Sequence, residues 1–154
     1  MKEVVLSEYE MLMVKNVGLW RQHANISAKV KETKKDTLRS GDEIHADGFM
    51  AEYAFAKWKN LFVDLSTEMR SGGSDLKDEN FRFDIKSTRH KDPYLRSGLK
   101  VNPDIDVYVL AQIIGNKVIF VGWAYKDELI RPENIKDFGM GPSYVLKQEK
   151  LRPL

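Results

Sequence analysis

Phe81, Phe83 and Ile85 alternate with Arg82, Asp84 and Lys86, the period of two that a strand with one buried face requires. The alternation predicts a strand starting near Phe81, with Asp84 and Lys86 pointing the same way. Val107 to Ile114 and Lys117 to Ala124 are almost continuously apolar and flank Gly115-Asn116, a connection with hairpin chemistry, so they read as paired, buried strands. Upstream the period lengthens. Tyr9, Met13, Val17, Trp20 and Ala24 recur at helical spacing behind the capping box of Ser7-Glu8-Tyr9-Glu10, which predicts a helix from about Glu8 to Asn25. Asp42 stands where it would cap a second helix reaching about Phe62. Ala51, Phe55, Trp58 and Phe62 form its buried stripe, with Glu52 at the border. Gly48, a turn earlier, would let that helix approach the sheet closely.

The remaining segments carry weaker patterns. Val63 to Met69 is expected as the first strand, and Ser71-Gly72-Gly73-Ser74 as a flexible approach to Asp75. Lys29 to Ser40 reads as a polar connection or an extension of the first helix. Arg89 to Asp104 contains Pro93, Gly98 and Pro103 and reads as loop. A short helix is expected around Lys126 to Ile130, stopped by Pro132, then an irregular tail from Pro142 with a last strand at Tyr144 to Leu146. Trp20, Trp58 and Trp123 suit packing better than base stacking.

With 154 residues, the chain has the length of one domain spanning 1–154. The 42% hydrophobic and 31% charged residues are those of an ordinary globular protein. No apolar run approaches the ~20 residues of a membrane span, and the acidic, Met-rich start lacks the layout of a secretory signal. The expectation is a cytoplasmic protein, in a host cell if phage-encoded, whether monomer or homodimer. Zero cysteines exclude disulfides, Cys-ligated zinc and thiol catalysis.

A net charge of +2 does not by itself attract nucleic acid, so any electrostatic footprint must be local. Lys29, Lys31, Lys34, Lys35 and Arg39 read as a solvated face. Arg89, Lys91, Arg96 and Lys100 follow directly on Lys86 and read as a segment tracking a phosphate backbone. His90 among them is placed to contact phosphate or assist proton transfer. Asp42, Glu43, His45 and Asp47 read as acids favoured by a helix start, not as a metal cluster. Ser87 and Thr88 have no base partner for nucleophilic catalysis.

The chemistry concentrates at Asp75, Asp84 and Lys86. A carboxylate and an ammonium two residues apart on a strand, with a second carboxylate entering from the preceding segment, can hold a divalent cation beside a positioned amine. That combination suits phosphodiester hydrolysis. At these residues, and at Gly48-Phe49-Met50-Ala51-Glu52-Tyr53-Ala54, the chain resembles the PD-(D/E)xK nuclease superfamily, with Ser74 where a Pro usually precedes the first acid. Small members, phage proteins included, carry paired strands like Asp106-Val107-Tyr108-Val109-Leu110 and Val118-Ile119-Phe120-Val121-Gly122-Trp123.

The resemblance covers about Gly41 to Leu129. It implies an α/β fold, a restriction-endonuclease-like core with a central mixed β-sheet flanked by helices, here with an additional N-terminal helix. It also implies a magnesium- or manganese-dependent deoxyribonuclease, endo- or exonuclease, leaving a 5′-phosphate. Asp75 and Asp84 would bind the metal, with Glu52 and the Ile85 carbonyl completing the ligands and Lys86 orienting the attacking water or stabilising developing charge. The second long core helix of that superfamily is hard to find in this sequence. The rival reading is a catalytically silent nucleic-acid-binding module of the same fold. A third, a protein-interaction subunit, would bind no DNA.

Overall fold

Near-continuous apolar runs demand burial on both faces, and Val107–Ile114 lies at the centre of a five-stranded sheet. The computed structural model describes residues 1–27, 41–65 and 75–154. In chain order its elements are β1 (Lys2–Val5), α1 (Glu8–Ser27), α2 (Gly41–Lys59), β2 (Leu76–Lys77), β3 (Arg82–Thr88), β4 (Tyr94–Gly98), β5 (Val107–Ile114), β6 (Lys117–Tyr125), α3 (Lys126–Leu129), β7 (Ile135–Asp137) and β8 (Pro142–Lys147). The main sheet runs β1-β6-β5-β3-β2, and β4-β8-β7 form a second sheet. Only β3 and β5 are parallel; the other described pairs are antiparallel. The architecture is α/β with a mixed sheet.

Alternation along β5 splits the interior in two. Val107 and Val109 enter a core under α1 and α2, where Phe55 meets Phe83 and Phe120 at ring distances of 5.1 and 5.4 Å. Tyr108 and Leu110 enter the other, with Leu95, Leu146 and Leu129 from the second sheet and α3. A parallel pair needs a crossover. Here residues 89–106 make it, and they contribute β4 where the sequence reads as loop. β1 and β7 were likewise not legible in the pattern. Val63, Asp64 and Leu65 are not strand; the rest of the expected strand at Val63 to Met69, the Ser71 to Ser74 approach and the Lys29 to Arg39 segment lie outside the described residues.

α1 begins and α2 ends as the local chemistry dictates, whereas Asp42, expected to cap α2, lies inside that helix, which includes Gly41. Ser7 Oγ accepts from the Glu10 N–H at 3.2 Å, and Glu10 Oε1 accepts from the Ser7 N–H at 3.0 Å, the reciprocal capping box. Lys57 of α2 adds an ion pair to Glu10 at 2.8 Å. Asn60 closes α2 in a left-handed conformation, φ 55°, and the Leu61 N–H donates to the Ala56 carbonyl, a Schellman ending. Phe62 therefore falls beyond the helix and is 88% exposed. The buried stripe of α1 is also rotated from the expected one: Val14, Val17 and Arg21 face in, while Tyr9 and Trp20 face out. The close approach lies at Gly18, where an added Cβ would stand 2.5 Å from the Ala46 Cα, and not at Gly48, where it would meet nothing.

Burial works to raise the Glu10 carboxyl, but Lys57 and Ser7 outweigh it and hold it at about 2. A depressed carboxylate contributes stability that is present above its unfolded pKa and lost as pH falls through the folded value. Glu10→Gln is expected to lower stability by about 1 kcal/mol near neutral pH, the worth of one cap hydrogen bond and one exposed ion pair. Urea unfolding at neutral pH and near pH ~2, where the difference should close, checks both the size and the sign.

Candidate active site

The site sits where β2 begins against β3. β2 pairs Leu76 with Phe83 and Lys77 with Arg82, so Asp75 is the residue at which that ladder stops. Its backbone N–H still donates to the Phe83 carbonyl at 2.9 Å. Its Oδ2 then takes the place of a strand and accepts from the Ile85 N–H, also at 2.9 Å. A residue's N–H and C=O point to the same side of a strand, so the Ile85 carbonyl is directed to this same edge. Phe83 and Ile85 are buried toward the helices. Asp84 and Lys86 therefore project to the opposite face, opposite Tyr108 and Leu110 in the parallel register. Glu52 comes from α2, on the helix side.

The structure thus brings Glu52, Asp75, Asp84 and Lys86 around one sheet edge. Burial, then the charges of Glu52 and Asp84, push the Asp75 carboxyl up to about 8 against the opposing pull of the Ile85 N–H and Lys86. Lys86 Nζ lies 2.8 Å from Asp84 Oδ2. Burial acts to lower its pKa, but Asp84 and then Asp75 prevail, so the ammonium is held above its usual range. Tyr108, hydrogen-bonded to Ser97 of β4, is raised by burial and by Asp84.

Arg21 was not legible as a site residue. It reaches across from α1, donating to the Asp64 carbonyl at 2.7 Å and standing 3.5 Å from Glu52 Oε2. Its guanidinium also lies 4.6 Å from the Phe49 ring centroid. The signal available was a charged residue seven positions after Val14 on a buried stripe. Among the described residues, no three carboxylate or imidazole side chains are gathered closely enough to cage a metal ion. The oxygens present are the hard donors that magnesium or manganese take.

The basic residues expected to follow nucleic acid divide. Arg89 is tied to Asp47 of α2 by two bonds, Nη2–Oδ1 at 2.6 Å and Nε–Oδ2 at 2.7 Å. This is a structural clamp between helix and sheet, because Asp47 is buried. It also gives Asp47 a role other than helix-start charge. His90, Lys91 and Lys100 are exposed. The His90 carbonyl accepts from Gln112 at 2.7 Å, which anchors its backbone beside β5. Arg96 is on a strand and not a loop, donating from Nε to Ser143 Oγ at 2.7 Å. Arg89→Ala is expected to lower stability by about 1–3 kcal/mol by withdrawing donors from a buried carboxylate. Urea denaturation of the variant beside the parent measures the loss.

The profile of a family described as "Family of unknown function (DUF5843)" matches residues 2–117, a span from β1 to the first residue of β6 that holds Arg21, Glu52, Asp75, Asp84 and Lys86. No curated protein and no solved structure matches the chain.

Proposed function

We propose that this chain, which belongs to the family of unknown function DUF5843, is a metal-dependent nuclease with a restriction-endonuclease-like core that hydrolyses phosphodiester bonds in DNA. One observation carries the reading. A partly buried carboxyl, Asp75, lies in the negative field of Glu52 and Asp84 and beside the Lys86 ammonium. Gathering like charges costs the fold, and a hard divalent cation relieves that cost. Asp75, Asp84, Glu52 and the Ile85 carbonyl would hold magnesium or manganese. When bound, the cation neutralises phosphate charge and acidifies an attacking water.

The chain's own groups do the rest. Asp75 is oriented through Oδ2 by the Ile85 N–H, which leaves its second oxygen for a ligand, and on binding a cation it would release its proton to solvent. Lys86, whose ammonium has three donors and spends one on Asp84, would donate from Nζ to a non-bridging phosphate oxygen and offset the charge that develops there in the transition state. Arg21 steadies Glu52 from the helix side.

The second reading is a catalytically silent nucleic-acid-binding module, favoured by the closed Asp84–Lys86 pair. Incubation with linear, circular, single-stranded and branched DNA, with manganese and with chelator, separates them. Cleavage that stops in chelator supports the nuclease. DNA retained intact under both conditions supports the module, and neither binding nor cleavage sinks both. As for membranes, no helix among the described residues is long and apolar enough to cross one.

A further inference from the structure

The second sheet has two unlike faces. Leu95 and Leu146 pack inward on the core that holds Tyr108 and Leu129. The register pairs Tyr94 with Lys147, Arg96 with Val145, and Ser143 with both Gly98 and Lys136, and directly opposed residues share a face. The other face carries three cations, Arg96, Lys136 and Lys147, and its strand positions include no acid; Ser143 and Val145 at its middle are buried, while Lys136 and Lys147 at its margins are exposed. The β7–β8 loop returns Phe138 onto this face. Its ring is 5.3 Å from that of Tyr94, tilted by 37°, and 5.8 Å from the Arg96 guanidinium. Phe138 is nonetheless 54% exposed. Arg96 spends Nε on Ser143, while its Nη2 is buried without a hydrogen-bond partner.

We propose that this face is a docking platform for single-stranded nucleic acid, with a base stacked on Phe138 and Tyr94 and phosphates held by Lys136 and Lys147. An exposed ring among cations is what unpaired strands use, because every base offers a π face. Duplex DNA keeps those faces stacked inside, so it presents the platform with phosphate alone. Arg96, stacked beside Phe138, fixes the ring's position and adds positive charge. As the strand-selecting surface of the proposed nuclease the platform rests on that reading, but its binding is measured without any cleavage.

The test is fluorescence anisotropy in chelator with a labelled oligothymidine, an abasic oligomer of equal length and a duplex. Phe138→Ala is expected to weaken oligothymidine binding at least about fivefold and to leave abasic binding unchanged. Lys136→Gln with Lys147→Gln should weaken both and lower the logarithmic salt slope by about 1.4, two phosphate contacts on a single strand. Undiminished oligothymidine affinity in Phe138→Ala overturns the platform, as does parental binding that is equal for abasic oligomer or duplex. If oligothymidine binding follows this pattern but nothing is cut in manganese, the platform stands and the nuclease falls. Cleavage in manganese with binding indifferent to Phe138 gives the reverse.

Discussion

Folded Asp84→Asn and Lys86→Ala proteins are expected to lose at least about 10²-fold in manganese-dependent cleavage, the usual loss when one preorganised charge is removed from a transition state. Both side chains project from the β3 face that lies away from the helix-side core, where Phe83 and Ile85 are buried. Neither substitution removes apolar packing there. Each breaks the 2.8 Å ion pair, so a small loss of stability accompanies the loss of activity, and thermal unfolding followed by circular dichroism must show a cooperative native state before a rate is compared. The two variants should separate in metal response. Asp84→Asn removes a ligand oxygen's charge and should raise the manganese concentration needed for any residual cutting, whereas Lys86→Ala should leave that requirement near the parental one and reduce the rate at saturation. A folded variant of either kind that cut at the parental rate would end the assignment of this strand to catalysis.

The second large effect is a dependence of cation stabilisation on pH. Asp75 is held at about 8 by burial and by the charges of Glu52 and Asp84, far above the ordinary carboxylate value of about 4. A raised acid keeps, in the folded state, a proton that the unfolded chain has already released. The stability it contributes is fully present below the unfolded pKa and is lost as pH rises through the folded one. In chelator, urea unfolding should therefore show stability falling from about pH 4 to about pH 8, and Asp75→Asn should flatten that fall by on the order of 2–4 kcal/mol. A divalent cation takes the proton's place. Manganese should stabilise the protein more at the alkaline end than at the acidic end, with proton release visible by calorimetry in buffers of different ionisation enthalpy. An equal cation response in Asp75→Asn would place the ion elsewhere.

The elements that were legible are those whose signal is local. β3, the β5–β6 hairpin with Gly115 at φ 61°, α3 and both long helices follow from side-chain period, the Ser7 capping box of α1 and turn residues. Those depend on neighbours a few positions apart. The D-x-K face of β3 was legible for the same reason: a period of two puts Asp84 and Lys86 together whatever the rest of the chain does. β1, β4 and β7 carry no such signal. They are short, and β4 follows a proline and ends on a glycine. Their strand character comes from the partners they pair with: β6 for β1, and β8 for β4 and β7.

Composition and period determined that this chain builds α/β layers around a β5–β6 centre and presents a carboxylate and an ammonium from one strand. The tertiary structure alone decided what surrounds them. Helical spacing identifies apolar positions without saying which of two overlapping stripes will meet the sheet; in the folded chain α1 approaches α2 closely at Gly18 and Ala46, with Arg21 inside and Trp20 outside. Charge runs do not state their partners, so Arg89, read among phosphate-binding residues, is spent on Asp47, 42 positions away. Because β2 starts only at Leu76, the Asp75 carboxyl completes the ladder at Ile85. Such choices depend on residues distant in sequence competing for one place, and free energy settles that competition only when the layers pack.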